Sequence, residues 1–409
     1  MKKTKMKTIT IKEFEYLQCR NKNEKNYISE NIFKTLENFA LKNESYNYLK
    51  PIYKKGYGKV LQVQNYVGVI QTKNILIEIL PKLSNFDDEK LRQIVINMLK
   101  TLKKSPFKKL NFSNIKNIKM PLLEIFISIF LEELSILIKK GLKSDYILKE
   151  ENLKFLKGRL KLKEQIKKNF IHKERFFVEY DEFLVDRIEN RLIKTTLKYL
   201  YNLSNSMQNQ KRIREFLFVF EEVGISHNIK SDFAKIKLNR QMRDYENILL
   251  YSKIFLQNKS FTPFNGDDIV YALLFDMNLL FESFVGDYIK KRCKNVSLQD
   301  KTHHLVKTPK KFALKPDIVI NNGEIIMDTK WKILDQNKNN YRISQTDMYQ
   351  MYAYGKKYEK CKKLYLIYPK NNKFNIPEFE YEKNLHLKVL FFDFKENKLK
   401  DCKEKDSLC

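Results

Sequence analysis

Glycine and proline are scarce in this sequence, with 10 and 9 among 409 residues. That scarcity excludes long flexible linkers and low-complexity tracts, and no segment repeats. The five cysteines, Cys19, Cys293, Cys361, Cys402 and Cys409, are scattered and odd in number. None stands in a C-x-x-C pair, so neither a zinc site nor a disulfide framework is expected. A nucleotide-binding phosphate loop is missing too: the nearest string, GYGKV around Gly58, has the wrong spacing and no following Ser or Thr. The basic start, MKKTKMKTITIKEFEY, lacks the apolar run of a signal peptide. The most apolar stretch, 121–138, is interrupted by Glu124, Glu132 and Glu133, which favours a buried helix over a membrane span. The expectation is a cytoplasmic protein with no membrane partner.

Negative charge is also in short supply. Lys and Arg number 79 against 49 Asp and Glu, a formal net charge of +30. Such an excess attracts polyanions, of which nucleic acid is the commonest for a protein of this kind. A Lys-, Asn- and Ile-rich codon usage would inflate the same count, so charge alone decides nothing. What the chain has in plenty is core material, 29 Phe and 23 Tyr. Its length suits two or three domains of roughly 100–200 residues each.

The expected fold class is α+β. Residues 1–118 read as a mixed, β-leaning partner-docking module, with apolar strands and Lys-rich flanks but no paired acids, helical spacing over 27–42 and 89–104 and strand character over 57–80. Lys73-Asn74 there marks a hairpin turn between apolar strands. Residues 119–265 read as a helical linking region, with helices over 160–169, 186–203, 210–222 and 243–257. Pro121 opens its first helix and Gly141 closes it. Pro263 and Gly266 mark the clearest boundary. Residues 266–409 read as a compact α/β domain: a helix over 269–292, strands over 312–320 and 324–331, a helix over 344–358, and strands over 363–368 and 385–392.

The informative passage is FALKPDIVINNGEIIMDTKWK. Asn322-Gly323 supplies the positive φ angles of a tight hairpin turn. Counting outward pairs Ile320 with Ile325, Ile318 with Met327, and Asp317 with Asp328. Paired residues share a face, and Lys330, two residues on, lies on it as well. Two carboxylates side by side repel unless a cation compensates them. A divalent metal with a preference for oxygen, Mg2+, suits the pair, and Lys330 adds a fixed positive charge able to orient a water or balance a phosphate. The competing reading is a solvated salt-bridge cluster. The hairpin geometry and the preceding Pro316 favour the metal.

Two further residues join the set. Glu282 falls on an apolar stripe with Phe275, Leu279, Val285 and Ile289, where a carboxylate calls for a nearby cation or a route to water. Gln350 shares a helix face with Asp347 and Tyr354 behind the N-cap residue Ser344, and is placed to hold a water or a phosphate.

Taken together, FDMNLLFESFV, LKPDIVI, IMDTKWK, YRISQTDMYQMYAYG and LIYP resemble the McrC family, the nuclease subunit of modification-dependent McrBC-type restriction systems. NYVGVIQTKNILIEILPKL and RFFVEYDEFLVDRIENRLIKTTL resemble upstream segments of the same family. The resemblance is strongest over 271–369 and implies a PD-(D/E)xK nuclease core in the C-terminal domain. Asp317, Asp328 and Lys330 would be catalytic with Glu282 and Gln350 in support, and Asp317, Asp328 and Glu282 would be the metal ligands. It also implies a hexameric AAA+ partner that hydrolyses GTP and is stimulated by the N-terminal half, with methylated double-stranded DNA as substrate. The missing phosphate loop agrees with a motor supplied by another polypeptide. Two other readings stand beside it: a stand-alone repair or recombination nuclease, and an activator of an AAA+ GTPase that no longer cleaves. Whether two nuclease domains pair to cut both strands is left open.

Overall fold

A computed structural model describes residues 6–102, 106–109, 119–257, 269–371 and 376–401. The chain packs as two compact units, one of residues 112–264 and one that joins 6–111 to 265–409. The expected boundaries at 118 and 265 lie outside the described residues. The N-terminal segment, however, does not stand alone: it shares a unit with the C-terminal one. The 103–105 and 258–268 stretches, which include the expected boundary residues Pro263 and Gly266, lie outside the described residues.

The reason for that sharing is a strand. Residues 269–276, IVYALLFD, form a strand and not the first half of a helix. A continuous apolar run cannot be told from a buried helix by period alone, and here β-branched and aromatic residues sit beside a strand in need of a neighbour. Ile269–Asp276 pairs antiparallel with Tyr66–Thr72. It closes a four-stranded sheet in the order Lys7–Lys12, Ile75–Leu80, Tyr66–Thr72, Ile269–Asp276. Gly68, at φ +137, is opposite Leu274, and a Cβ there would meet the carbonyl oxygen of Leu273 at 2.0 Å. Only glycine lets these two strands come together.

The helix proper is Met277–Lys290, capped by the Asp276 carboxylate, which accepts from the Asn278 N–H at 2.8 Å. It packs against helix Asp88–Thr101 from the N-terminal segment. Its Phe281 and Phe284 meet Trp331, Phe392 and Phe394, with ring centroids 5.1–6.3 Å apart. Phe392 lies in, and Trp331 and Phe394 just beyond the strand ends of, a seven-stranded mixed sheet, in the order Val296–Leu298, Ile318–Ile320, Ile325–Thr329, Lys363–Pro369, Leu385–Asp393, Phe379–Glu382, with Lys398–Lys400 also on Leu385–Asp393. Helix Gln345–Lys357 contributes Met351 and Tyr354 to a core shared with Val319 and Ile326.

The second unit holds the expected helices, among them Leu122–Lys139, Ile188–Leu203, Met207–Val219 and Arg243–Leu256. It also holds a sheet that the sequence does not advertise: Asp145–Leu153 pairs antiparallel with Phe176–Leu184, which pairs in turn with Arg159–Leu160. These strands have mixed polar and apolar faces, and the two long ones are more than twenty residues apart in the chain, so local pattern is a weak guide to them. Among the described residues no helix is long and apolar enough to cross a membrane. Cys19 and Cys361 are free thiols. Cys293 is disulfide-bonded, contrary to the expectation from its scattered spacing, because sequence distance says little about which thiols meet in space.

Candidate active site

The hairpin around Asn322-Gly323 takes the expected register: Ile320 pairs with Ile325, Val319 with Ile326 and Ile318 with Met327. Its turn is a single 3-10 turn over Asn321–Gly323 with φ of +52, +55 and +103. Asparagine and glycine are the residues that accept this backbone. Both faces of the hairpin are covered. Ile318 and Met327 are buried on one; Val319 and Ile326 are buried on the other, in the core of helix Gln345–Lys357. The Asp328 carboxylate is therefore held in an interior, and that of Asp317 is half-buried at its edge.

The ladder ends at Ile318, one residue short of the expected Asp317–Asp328 pair. Pro316 has no N–H to extend it. Asp317 sits at a bend, and its Oδ2 accepts from both the N–H and the hydroxyl of Thr329, each at 2.7 Å. Asp328 is 2% exposed. Its Oδ2 is fully buried and accepts no hydrogen bond of good geometry, its close partner being the Lys330 ammonium in an ion pair at 2.7 Å. Lys330 also lies 3.5 Å from Asp347 and donates to Gln350 Oε1 at 3.2 Å. Gln350 in turn donates to the Tyr354 hydroxyl at 2.6 Å. Glu282 approaches from helix Met277–Lys290, half-buried, and accepts from the Gln299 amide at 2.6 Å.

Electrostatics follow from this crowding. Burial, then the charges of Asp328 and Glu282, push Asp317 up to about 7, against the pull of its Thr329 hydrogen bonds. Asp328 is likewise raised, by burial first, with Lys330 opposing. Burial alone would lower Lys330, but Asp328, Asp347 and Asp317 outweigh it and hold the ammonium protonated. A site with this excess of buried negative charge has a strong preference for a cation. Its donors are hard oxygens, one of them without a hydrogen bond, which fits a divalent ion in kind. As they stand, no three acidic, His or Cys side chains among the described residues are gathered closely enough to hold a metal. Glu282 is turned to Gln299, and Lys330 covers Asp328.

The structure thus brings Asp317, Asp328, Lys330 and Gln350 into one neighbourhood and sets Glu282 within electrostatic reach of both acids. The Glu282 stripe is altered: Phe275 lies in the strand, and Leu279 is 40% exposed. Three participants do not stand out in the sequence. Thr329 is hidden by the strand alternation that points it away from Asp328. Gln299 lies in a short polar segment with no pattern. Glu13, 318 residues from its partner, accepts from the Trp331 indole N–H at 2.9 and 3.1 Å and fixes the chain one residue beyond Lys330.

The model of the family described as "McrBC 5-methylcytosine restriction system component" matches residues 61–369. A search of curated proteins finds no match. Among solved structures, one similar chain comes from a refined half-complex of a tetradecameric assembly of Thermococcus gammatolerans McrB AAA+ hexamers with bound McrC. It is 19% identical, covers 94% of each chain and has a TM-score of 0.68. Another comes from the McrBC complex of the same organism, 20% identical over 68% of this chain and 85% of that one, with a TM-score of 0.53. At such identities these likenesses speak for the fold, whereas the family match spans most of the chain. The chain belongs to the McrBC family of 5-methylcytosine restriction system components.

Proposed function

We propose that this chain is the nuclease subunit of its restriction system, cutting DNA at a PD-(D/E)xK site made of Asp317, Asp328 and Lys330. The observation that carries the reading is the buried Asp328 carboxylate, raised in pKa and matched to one lysine, beside the half-buried Asp317 carboxylate that it repels. Asp317, Asp328 and Glu282 would hold Mg2+, which when bound supplies Lewis-acid polarisation of the scissile phosphate and acidifies a water. Lys330 places a permanent positive charge where a phosphate would enter and orients the attacking water. Gln350 positions Lys330 through its Oε1, and Tyr354 fixes Gln350. Thr329 holds Asp317 in place through two hydrogen bonds, so its carboxylate keeps one oxygen for other ligands.

The partner in this reading is a hexameric AAA+ GTPase that brings methylated double-stranded DNA to the site and is stimulated by this chain. Of the similar solved chains, one comes from an assembly of McrB AAA+ hexamers with bound McrC and the other from an McrBC complex. The surface best suited to docking is the sheet of residues 145–184, not the N-terminal segment, which is committed to the nuclease unit. Tyr146, Phe155, Leu162, Ile166, Phe170 and Ile171 around that sheet are 60–84% exposed. Apolar side chains displayed in this number mark an interaction site.

The test is cleavage of methylated and unmethylated plasmid by the chain with its AAA+ partner, Mg2+ and GTP. The reading expects GTP- and Mg2+-dependent double-strand cuts in methylated plasmid, lost on Asp317→Ala, Asp328→Ala or Lys330→Ala with GTPase stimulation retained. Wild-type cleavage by any of these three variants would refute the site.

A further inference from the structure

The segment between Gln299 and Asp317 stands apart from every larger sheet. His304–Val306 and Lys311–Ala313 form a two-stranded ribbon of their own, closed by the four-residue turn Lys307–Lys310. All residues from Leu305 to Ala313 are exposed. The segment carries Lys301, Lys307, Lys310, Lys311 and Lys315 against one acid, Asp300, and Asp300 is turned inward onto Thr302 and the Tyr358 hydroxyl. None of the five lysines forms an ion pair with a described residue, whereas lysines elsewhere on the surface commonly do. Phe312 is 70% exposed in left-handed backbone, at φ +58. A bulky aromatic rarely adopts that conformation, and this one gains no packing from it. Leu305 and Val306 are exposed on the same ribbon.

The root of the ribbon is as firm as its tip is bare. His303 packs its ring against Tyr358 in a tilted arrangement with centroids 4.0 Å apart, and its carbonyl accepts from the Leu314 N–H at 2.9 Å. Tyr358 donates to Asp300 at 2.9 Å. Tyr358 is the C-cap of the helix that carries Asp347 and Gln350, and the ribbon's second strand leads within four residues to Asp317. An arm that starts at the candidate site and carries lysines without ion pairs and an exposed ring has a shape suited to a polyanion lying across that site.

We propose that the ribbon of residues 301–315 is a DNA-contacting arm, in which Lys307, Lys310 and Lys311 bind backbone phosphates of the duplex and Phe312 makes the apolar contact with bases or sugars. This rests on the nuclease reading and adds to it the element that seats the substrate. A two-stranded ribbon is of a size that enters a groove of duplex DNA, and apolar side chains inserted at base steps are a recurrent device of DNA-binding arms. Phosphate contacts of this kind set register on the duplex without reading sequence.

The test measures binding of a duplex oligonucleotide by the full chain with its AAA+ partner over a series of salt concentrations, alongside GTPase stimulation and plasmid cleavage. Replacing Lys307, Lys310 and Lys311 together by alanine is expected to lower the slope of log affinity against log salt by about 0.9 for each phosphate no longer neutralised, up to roughly 2.7. Phe312→Ala is expected to weaken binding with the slope unchanged, because its contact is uncharged. Both surface variants should leave the melting temperature and GTPase stimulation as in wild type. Wild-type affinity and slope in the triple variant, with wild-type cleavage, would overturn the arm and leave the nuclease reading intact. Normal DNA binding with lost GTPase stimulation would also overturn it, by making the ribbon a protein contact. Should the wild-type complex bind DNA through the ribbon yet never cut, the arm stands and the nuclease reading falls.

Discussion

Glu124 in the helical unit and Asp328 in the mixed unit are buried carboxylates kept in opposite ways. In the helical unit Glu124 is 4% exposed and every oxygen is used: it accepts from the Ser204 hydroxyl at 2.7 Å, the Asn209 amide at 2.8 Å and the N–H groups of Asn205 and Ser206 at 2.6 and 3.2 Å. In the mixed unit Asp328 is as deeply buried, but has one lysine, other acids for neighbours and an oxygen without a hydrogen bond. Glu78, in the same unit as Asp328, shows that the difference is not one of fold. It takes two hydrogen bonds from Arg92, at 2.9 and 2.7 Å, and one from Thr10. Buried acids that are fully paired hold the structure together, and the one kept short of partners is available for a ligand.

The largest effect that could break this contrast is on catalysis. Asp328→Ala, Asp317→Ala and Lys330→Ala should each lower cleavage by at least about a hundred- to a thousandfold, the scale on which a preorganised electrostatic group acts. The assay is plasmid cleavage with partner, Mg2+ and GTP. On stability the ranking should reverse. Arg92→Met leaves Glu78 buried without its cation and should cost about 3–5 kcal/mol in denaturant unfolding. Asp317→Asn, which relieves repulsion, should cost nothing in metal-free buffer and can raise the melting temperature. If both substitutions destabilise alike, the distinction between paired and unpaired acids fails.

A third test uses Glu13, whose burial raises it to about 7 despite Lys82 and the Trp331 hydrogen bond. The folded state binds this proton more tightly than the unfolded chain, so its stabilisation is fully present below about 4.5 and is lost as pH rises through about 7. Across that window it amounts to roughly 3 kcal/mol. Glu13→Gln keeps an acceptor for the indole and should flatten the fall in stability between those pH values. A wild-type slope in the Gln variant would contradict it. A smaller effect is expected on the helical unit. Phe170→Ser and Ile171→Ser, 78% and 84% exposed, should change stability by less than about 0.5 kcal/mol while weakening association with the AAA+ partner. Unaltered association would remove the sheet of residues 145–184 as the docking surface.

Local chemistry is legible in the sequence and long-range pairing is not. Asn322-Gly323 sets the register of the acid-bearing hairpin, because a tight turn with positive φ leaves one way to count outward. The helices over 88–101, 122–139, 188–203, 243–256 and 345–357 carry caps or periodic apolar faces, and the sequence places them within a few residues of their ends. Ile269–Asp276 reads as helix because its identity as a strand depends on Tyr66–Thr72, two hundred residues away. The same distance hides the joining of residues 6–111 to the C-terminal segment, and with it the Glu13–Trp331 contact beside Lys330. Lys330 and Asp328 can be named from strand alternation. Thr329 cannot, since it reaches Asp317 only because the ladder stops one residue early.

The most direct test of the central claim, that the underpartnered acids of the hairpin are a catalytic site, is one variant measured twice. Asp328→Asn is nearly isosteric and removes the charge alone. In metal-free buffer its melting temperature is expected to equal or exceed that of wild type, and with partner, Mg2+ and GTP it is expected to yield no cleaved methylated plasmid. Cleavage at the wild-type rate, or a loss of several kcal/mol in stability such as Arg92→Met should bring, would contradict the account.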